Sequence, residues 1–372
     1  MINRILAVSN HGVMLGGGEY SFLDLLSHLP HIWKPLALVP HEGELKAGLR
    51  ENGIETQVIP LPSIRPWFIH NMLTCLRSYF IICKKEHPDL IYANGSRAAF
   101  YGGLVGNLLG LPVVWHCRIA DSDPYLDLFL VSLSTCIVTN SRATARRFKT
   151  RIRQKVRVVY NGVNIRWLQN ESIRKPEMMQ DDWKVILIVA RVSRWKRHDL
   201  ALSAFEHVAK SDPFTHLVCI GAEDQFEPEW WNYLQERSRF SEFSERIHWV
   251  GQVDDVRPWY RAAELLVLPS ENEPFGRVLV EAMASGLPVV ATRSGGVPEI
   301  VRHNQDGILV SPGSVQELIK VIKELLEDGQ LRRRLAESGK ERAQVFSLDA
   351  HVSEMVKIFE EAKYSGSLRE LM

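Results

Sequence analysis

Strand-like apolar runs alternate with helix-like runs along nearly the whole chain, and the alternation begins twice. The first series is Arg4–Ser9, Pro35–Val39, Gln57–Pro60, Asp89–Asn94, Pro112–His116, Thr135–Thr139 and Val156–Tyr160. A polar, aperiodic stretch from Asn164 to Asp182 reads as a linker. The second series is Val185–Ala190, His216–Ile220, Ile247–Val250, Leu265–Pro269, Pro288–Ala291 and Gly307–Val310. Near-continuous apolar strands separated by helices form parallel sheets covered on both faces. A chain of 372 residues exceeds one ordinary core. The expectation is therefore an α/β protein of two doubly wound domains, residues 1–165 and 166–352, with a cleft between them.

Composition removes several function classes. The five cysteines form no Cys-x-x-Cys pair and lie mostly inside apolar runs, which predicts reduced core residues of a cytoplasmic protein rather than a disulfide or zinc framework. No apolar run reaches the ~18 residues of a membrane span, and Met1–Ser9 reads as a strand rather than a signal peptide. Charge is uneven: residues 1–165 carry 18 Lys/Arg against 11 Asp/Glu, a net +7, and the remainder nets −6. The run Arg142–Arg157 holds eight basic residues and no acid. It can attract phosphate or anionic lipid, or be a solvated face; without interleaved aromatics it does not predict nucleic-acid binding.

Three constellations point to chemistry. Gly16-Gly17-Gly18-Glu19 follows the first strand and opens a helix, so backbone N–H groups and close approach suit a phosphate. It matches neither Gly-x-Gly-x-x-Gly nor a Walker loop. Arg191 and Lys196 leave the first strand of the second series, where two cations can clamp a nucleoside diphosphate and stabilise it as a leaving group. Glu273 and Glu281, with seven residues between them, straddle a strand-to-helix turn. In an open α/β sheet that turn faces the ligand crevice, so the pair can accept from hydroxyls at two places on a sugar nucleotide. Phe275-Gly276 and Ser294–Glu299 add backbone donors at neighbouring helix starts. A helix-surface Glu and ordinary loop cations are the plain alternatives.

Taken together, Glu273–Thr292 and Gly295–Glu299 resemble the signature of retaining glycosyltransferase family 4, the glycosyl transferases group 1. Gly16–Glu19, His116, Tyr160–Val163, Arg191 with Lys196, Gly251–Val253 and Asp306–Val310 extend the resemblance in order over residues 16 to about 310. It implies a GT-B fold, two Rossmann-like domains facing a central cleft, with the donor on the second. By this likeness Glu281 would hold the ribose, and Glu273 the donor hexose with help from the backbone at Phe275 and Gly276. Arg191 and Lys196 would hold the diphosphate, approached by Gly17 and Gly18, and His116 would face the hexose. The helix at about 353–372 would pack back onto the first domain. Two departures stand out: Pro274 replaces the usual Gly after Glu273, and Arg197 replaces the Gly after Lys196.

The resemblance implies same-face attack with retention, no metal (Asp254-Asp255 only mimics Asp-x-Asp) and no cofactor beyond the nucleotide-sugar co-substrate. The segment His70–Lys85, with Trp67-Phe68 before it, mixes apolar, aromatic and basic residues and suits either a core helix or a membrane surface. With the +7 first domain it predicts a glycan or lipid-linked acceptor at an anionic inner membrane face, as in cell-surface polysaccharide or lipopolysaccharide synthesis. A sugar-nucleotide epimerase of the same fold and a non-catalytic sugar-nucleotide scaffold remain as rival readings.

Overall fold

The computed structural model describes residues 2–170 and 173–370. It divides into two compact units, one made of Met1–Gly162 with Leu348–Met372 and the other of Val163–Ser347.

In the first unit the strands are β1 (Asn3–Ser9), β2 (Trp33–Val39), β3 (Glu55–Val58), β4 (Leu90–Asn94), β5 (Val113–Cys117), β6 (Cys136–Thr139) and β7 (Val156–Val158). They form one sheet in the order β3-β2-β1-β4-β5-β6-β7, with every pairing parallel. Successive side chains on a strand point to opposite faces, and both faces here are buried. Ile5 and Ala7 enter one apolar cluster with Trp33, Ala37 and Val39. Leu6 and Val8 enter the other with Leu36 and Leu38. That double burial is why the strands read as unbroken apolar runs.

The first cluster is completed from far along the chain. The helix Leu348–Glu370 contributes Leu348, Val352, Met355, Ile358, Phe359 and Ala362 at helical spacing. Phe359 packs 5.8 Å from the Trp33 ring and 5.4 Å from that of Tyr92. This helix starts five residues before the expected Ser353; Leu371 and Met372 of the expected segment lie outside the described residues.

The second unit holds β8 (Lys184–Val189), β9 (Thr215–Ile220), β10 (Ile247–Gly251), β11 (Leu265–Leu268), β12 (Val289–Thr292) and β13 (Ile308–Val310). Their order, β10-β9-β8-β11-β12-β13, is again all parallel. The chain winds outward from β8 through β9 to β10, then returns to β8's other side at β11. Such a reversal opens a crevice at the carboxyl ends of the two central strands, here β8 and β11.

The polar stretch read as a linker lies inside the second unit, its residues Glu171 and Ser172 outside the described set. Asn164 caps a short helix, Ile165–Leu168, by accepting from the Trp167 N–H, and Ile165 and Leu168 are buried. Arg257 lies over the Trp167 ring, 4.1 Å from its centre. Two apolar anchors and a cap hold a segment whose composition is otherwise that of a tether.

No helix among the described residues is long and apolar enough to cross a membrane. All five cysteines are free thiols, four of them buried. The basic run is partly internal. Arg147 forms a buried ion pair with Asp127, and Lys155 donates to the carbonyls of Val131 and Ser134 at 3.2 and 2.9 Å.

Candidate functional site

In the second unit the residues singled out from the sequence gather at the β8–β11 crevice. Residues 195–197 follow β8 and residues 271–273 follow β11, and three contacts clip the two segments together. The Glu271 N–H donates to the Trp195 carbonyl at 2.7 Å. Lys196 Nζ donates to Glu273 Oε2 at 2.6 Å, with both side chains largely buried. The Arg197 guanidinium bonds Glu271 and, through two N–H groups, the Asp199 carboxylate at 3.0 and 2.9 Å. Lys196 also stands 4.0 Å from the centre of the Trp195 ring.

Backbone conformation explains the odd residue here. Arg197 sits at φ 54°, in the left-handed region that glycine adopts without strain. The departure noted in the sequence therefore keeps the backbone path a glycine would take. It trades local strain for a guanidinium that fastens two loops.

The Glu273 segment is pinned from the other side too. The Gly296 N–H donates to the Glu273 carbonyl at 2.7 Å, and the Asn272 N–H to Ser294 Oγ at 2.6 Å. Gly295 adopts φ +57°, and a Cβ there would stand 2.1 Å from the Glu273 carbonyl oxygen. The Ser294–Gly296 turn is thus glycine-rich because the Glu273 backbone lies against it.

Glu281 is in the helix Arg277–Ala284 and is half-buried. Its Oε2 accepts from the Tyr260 hydroxyl at 3.0 Å and its Oε1 from Arg277 Nε at 2.7 Å. Burial, and then the Glu281 charge, push the Tyr260 phenol well above its ordinary pKa, so it stays a donor. Phe275 packs its ring against Phe346, centroids 5.9 Å apart. Gly276, at φ +96°, then starts the helix.

Arg191 lies 3.3 Å from the buried carboxylate of Asp224. The loops after β8 and β9 are laced together: Val192 N–H donates to the Ala222 carbonyl, and a Cβ on Gly221 would stand 2.1 Å from the Ala190 carbonyl. Asp255, half of the Asp-x-Asp mimic, grips Arg257 at 2.7 Å. Among the described residues no three His, Cys, Asp or Glu side chains converge as metal ligands.

In the first unit His116 lies within β5, one residue from its end, and is fully buried. Its Nδ1 is 2.9 Å from the Tyr92 hydroxyl and accepts from Arg118 at 3.3 Å. Burial first, then the Arg118 charge, hold its pKa well below the ordinary histidine value. The strand runs one residue beyond the expected end, to Cys117, so His116 is packed among strand neighbours. Arg118, two residues on and half-exposed, is the residue that sequence reasoning missed. It donates to Asn94 and Asn161, each at 2.6 Å, and its stem sets Gly18: a Cβ there would stand 3.2 Å from Arg118 Cδ. Gly17 and Gly18 open the helix Gly17–Ser27, after β1. Tyr260 and Asp224, which hold Glu281 and Arg191, had also left no local signal.

Two family models match this chain: Glycosyltransferase Family 4 over residues 15–167 and Glycosyl transferases group 1 over residues 169–342. Among relatives, the glycosyltransferase MJ1607 of Methanocaldococcus jannaschii is 29% identical over 215 residues, 55% of this chain and 54% of that protein. The match thus spans about half of that relative's length. The lipopolysaccharide core biosynthesis glycosyltransferase LpsE of Rhizobium meliloti is 29% identical over 261 residues, 70% of this chain and 72% of its own. Among solved structures, Anabaena Alr3699/HepE in complex with UDP superposes with a TM-score of 0.82 at 24% identity, covering 96% of this chain and all of that one. The two parallel sheets share that GT-B architecture. With family models covering residues 15–167 and 169–342 and the conserved fold beneath them, the chain belongs to the glycosyl transferases group 1 of family 4.

Proposed function

We propose that this glycosyltransferase moves a hexose from a nucleoside-diphosphate sugar to a glycan or lipid-linked acceptor, with retention of configuration and without a divalent metal. The observation that carries the reading is the 2.6 Å pair of Lys196 and Glu273, which joins the segment after β8, where Arg191 also lies, to the segment after β11 that leads to Glu281. Two cations face a diphosphate there, and stabilise the charge that grows on it as the sugar leaves. Glu281, steadied by Tyr260 and Arg277, accepts from the ribose hydroxyls. Glu273 accepts from hexose hydroxyls, and the backbone at Phe275 and Gly276 completes the cradle.

Retention without a covalent intermediate fits what the side chains are already doing. Glu273 is engaged with Lys196 and Glu281 with Tyr260 and Arg277, so neither is poised as a nucleophile. Attack on the face the diphosphate leaves, with a diphosphate oxygen taking the acceptor's proton, needs no protein nucleophile. The Anabaena neighbour's complexes with UDP and UDP-glucose support a nucleotide-sugar donor, and LpsE supports a cell-surface glycan context.

For the acceptor side, the helix Ile69–Glu86 buries Cys75, Tyr79 and Cys83 and leaves Ile69, Leu73, Arg77, Ile81 and Lys85 exposed. Those five share one row at four-residue spacing. Trp67, 73% exposed, precedes them. An apolar row broken by cations, beside an aromatic, supports contact with an anionic lipid surface. Leu73→Glu with Ile81→Glu is expected to abolish co-sedimentation with phosphatidylglycerol vesicles and leave the melting temperature unchanged.

The donor reading is tested by thermal shift with UDP, GDP, ADP and their sugars, followed by proton NMR of the transferred anomeric centre. Stabilisation by one nucleotide family and an unchanged anomeric configuration are expected, with or without EDTA. No stabilisation by any of them would sink the assignment.

A further inference from the structure

The Lys196–Glu273 pair is unusual among the site's ion pairs in joining two residues the proposed mechanism needs separately. Lys196 is to hold phosphate and Glu273 is to hold hydroxyls, yet Nζ and Oε2 stand 2.6 Å apart with side-chain exposures of 13% and 7%. Removing one partner of a buried pair leaves the other uncompensated, which is strongly unfavourable.

The two partners differ in freedom. Glu273 is fixed by its own backbone: the Gly296 N–H holds its carbonyl at 2.7 Å, Gly295 lies against that carbonyl, and Pro274 follows. Its Cγ also lies 3.5 Å from where a Gly276 Cβ would stand. Lys196 ends a four-carbon stem whose ammonium rests 4.0 Å above the Trp195 ring. Any exchange of partners is therefore made by the lysine, swinging over an aromatic face.

From this arrangement we propose that Glu273 is a specificity-determining counter-charge that makes the site favour a complete sugar nucleotide over a bare nucleoside diphosphate. The inference rests on the donor-binding reading above. A bare diphosphate competes with Glu273 for Lys196 and offers the carboxylate nothing in return. A sugar nucleotide brings hexose hydroxyls that donate to Glu273, so the lysine is released to the phosphates without leaving a buried charge unpaired. After transfer the hydroxyls depart with the acceptor, Glu273 reclaims Lys196, and the product diphosphate is loosened. One ion pair thereby serves donor selection and product release.

The test is isothermal titration of wild type, Glu273→Gln and Glu271→Gln with UDP, GDP and ADP and their glucose conjugates, with thermal unfolding confirming folded protein. Glu271 is two residues away and bonded to Arg197 rather than Lys196, so it reports any diffuse effect of removing a negative charge. Glu273→Gln is expected to bind the bare diphosphate about fivefold more tightly, the difference between a charged and a neutral hydrogen-bond partner, while its preference for the sugar conjugate shrinks. Glu271→Gln is expected to leave both unchanged. Weaker or unchanged diphosphate binding by Glu273→Gln overturns the proposal, as does equal tightening in both variants. If wild type binds none of the six compounds, the donor-site reading itself fails and this inference falls with it.

Discussion

The Tyr260 hydroxyl donates to Oε2 of Glu281 across 3.0 Å, from a short helix 21 residues earlier in the chain. That bond, with Arg277 on the other oxygen, sets which way the carboxylate faces. Tyr260→Phe keeps the Glu281 charge and removes its orienting donor, so nucleotide affinity is expected to weaken by about 1 kcal/mol. Glu281→Ala removes the acceptor itself and is expected to weaken it by about 1.5–3 kcal/mol. Titration calorimetry ranks the two; equal affinity in Glu281→Ala and wild type would remove the ribose role.

Gly295→Ala puts a Cβ 2.1 Å from the Glu273 carbonyl oxygen at a residue with φ +57°. Gly313 has a similar φ of +76° and open space around it. Gly313→Ala should therefore show left-handed strain alone, about 1 kcal/mol. Gly295→Ala should lose about 2 kcal/mol or more, because the Glu273 segment must also shift. Urea denaturation of the two variants isolates the second effect, and equal losses would show that the Glu273 backbone is not gripped.

Arg197 combines strain with bonding, and two substitutions separate them. Arg197→Ala keeps the φ of 54° without the guanidinium contacts, whereas Arg197→Gly loses the contacts and the strain together. The glycine variant is expected to be the more stable by about 1 kcal/mol, and close to wild type. Differential scanning calorimetry that finds alanine the more stable would show that the left-handed conformation is not imposed by the fold.

Acid should destabilise the second unit through its histidines. Trp183 stacks on His216 and His248, at 3.8 and 4.6 Å between ring centres, and the two imidazoles share a 3.0 Å hydrogen bond. Burial chiefly, then His248, lowers the His216 pKa to about 4 from an ordinary 6.5. His198, buried without a hydrogen-bond partner on either ring nitrogen among the described residues, is lowered to about 3, chiefly by burial. Both favour the neutral form when folded, so the unfolded chain binds more protons below the unfolded pKa. Stability is complete above about pH 6.5 and falls as the pH drops towards about 4. His216→Gln should shrink that fall in a melting series from about pH 7 to about pH 4; an unchanged slope would contradict the stacked pair's neutral state.

The inner strands were legible because parallel sheets buried on both faces write themselves as apolar runs, whereas the edge strands β3 and β7 are partly polar and exposed. Glycine loops and charged residues at strand exits were legible for a similar reason, since their backbone roles restrict residue type. Pairings across the fold were not. Lys196 and Glu273 are 77 positions apart, and nothing local in either segment announces the other. Tyr260 sits in a six-residue helix whose composition carries no functional mark. The strand that carries His116 ends one residue later than expected, and the burial of that side chain left no mark in the local sequence. Arg118 was passed over because a lone arginine after a strand has many ordinary explanations, and only its bonds to Asn94 and Asn161 distinguish it.

The helix Leu348–Glu370 has a consequence for how the protein is made. A ribosome delivers domains in order, and a domain ordinarily folds once its own sequence has emerged. Here the sheet from β1 to β7 is synthesised first, but the surface around Trp33 and Tyr92 lacks Met355 and Phe359 until all of Val163–Ser347 has followed. The sheet thus waits through the synthesis of the whole second unit with an apolar face uncovered. A nascent chain halted anywhere in the second unit carries that exposed face.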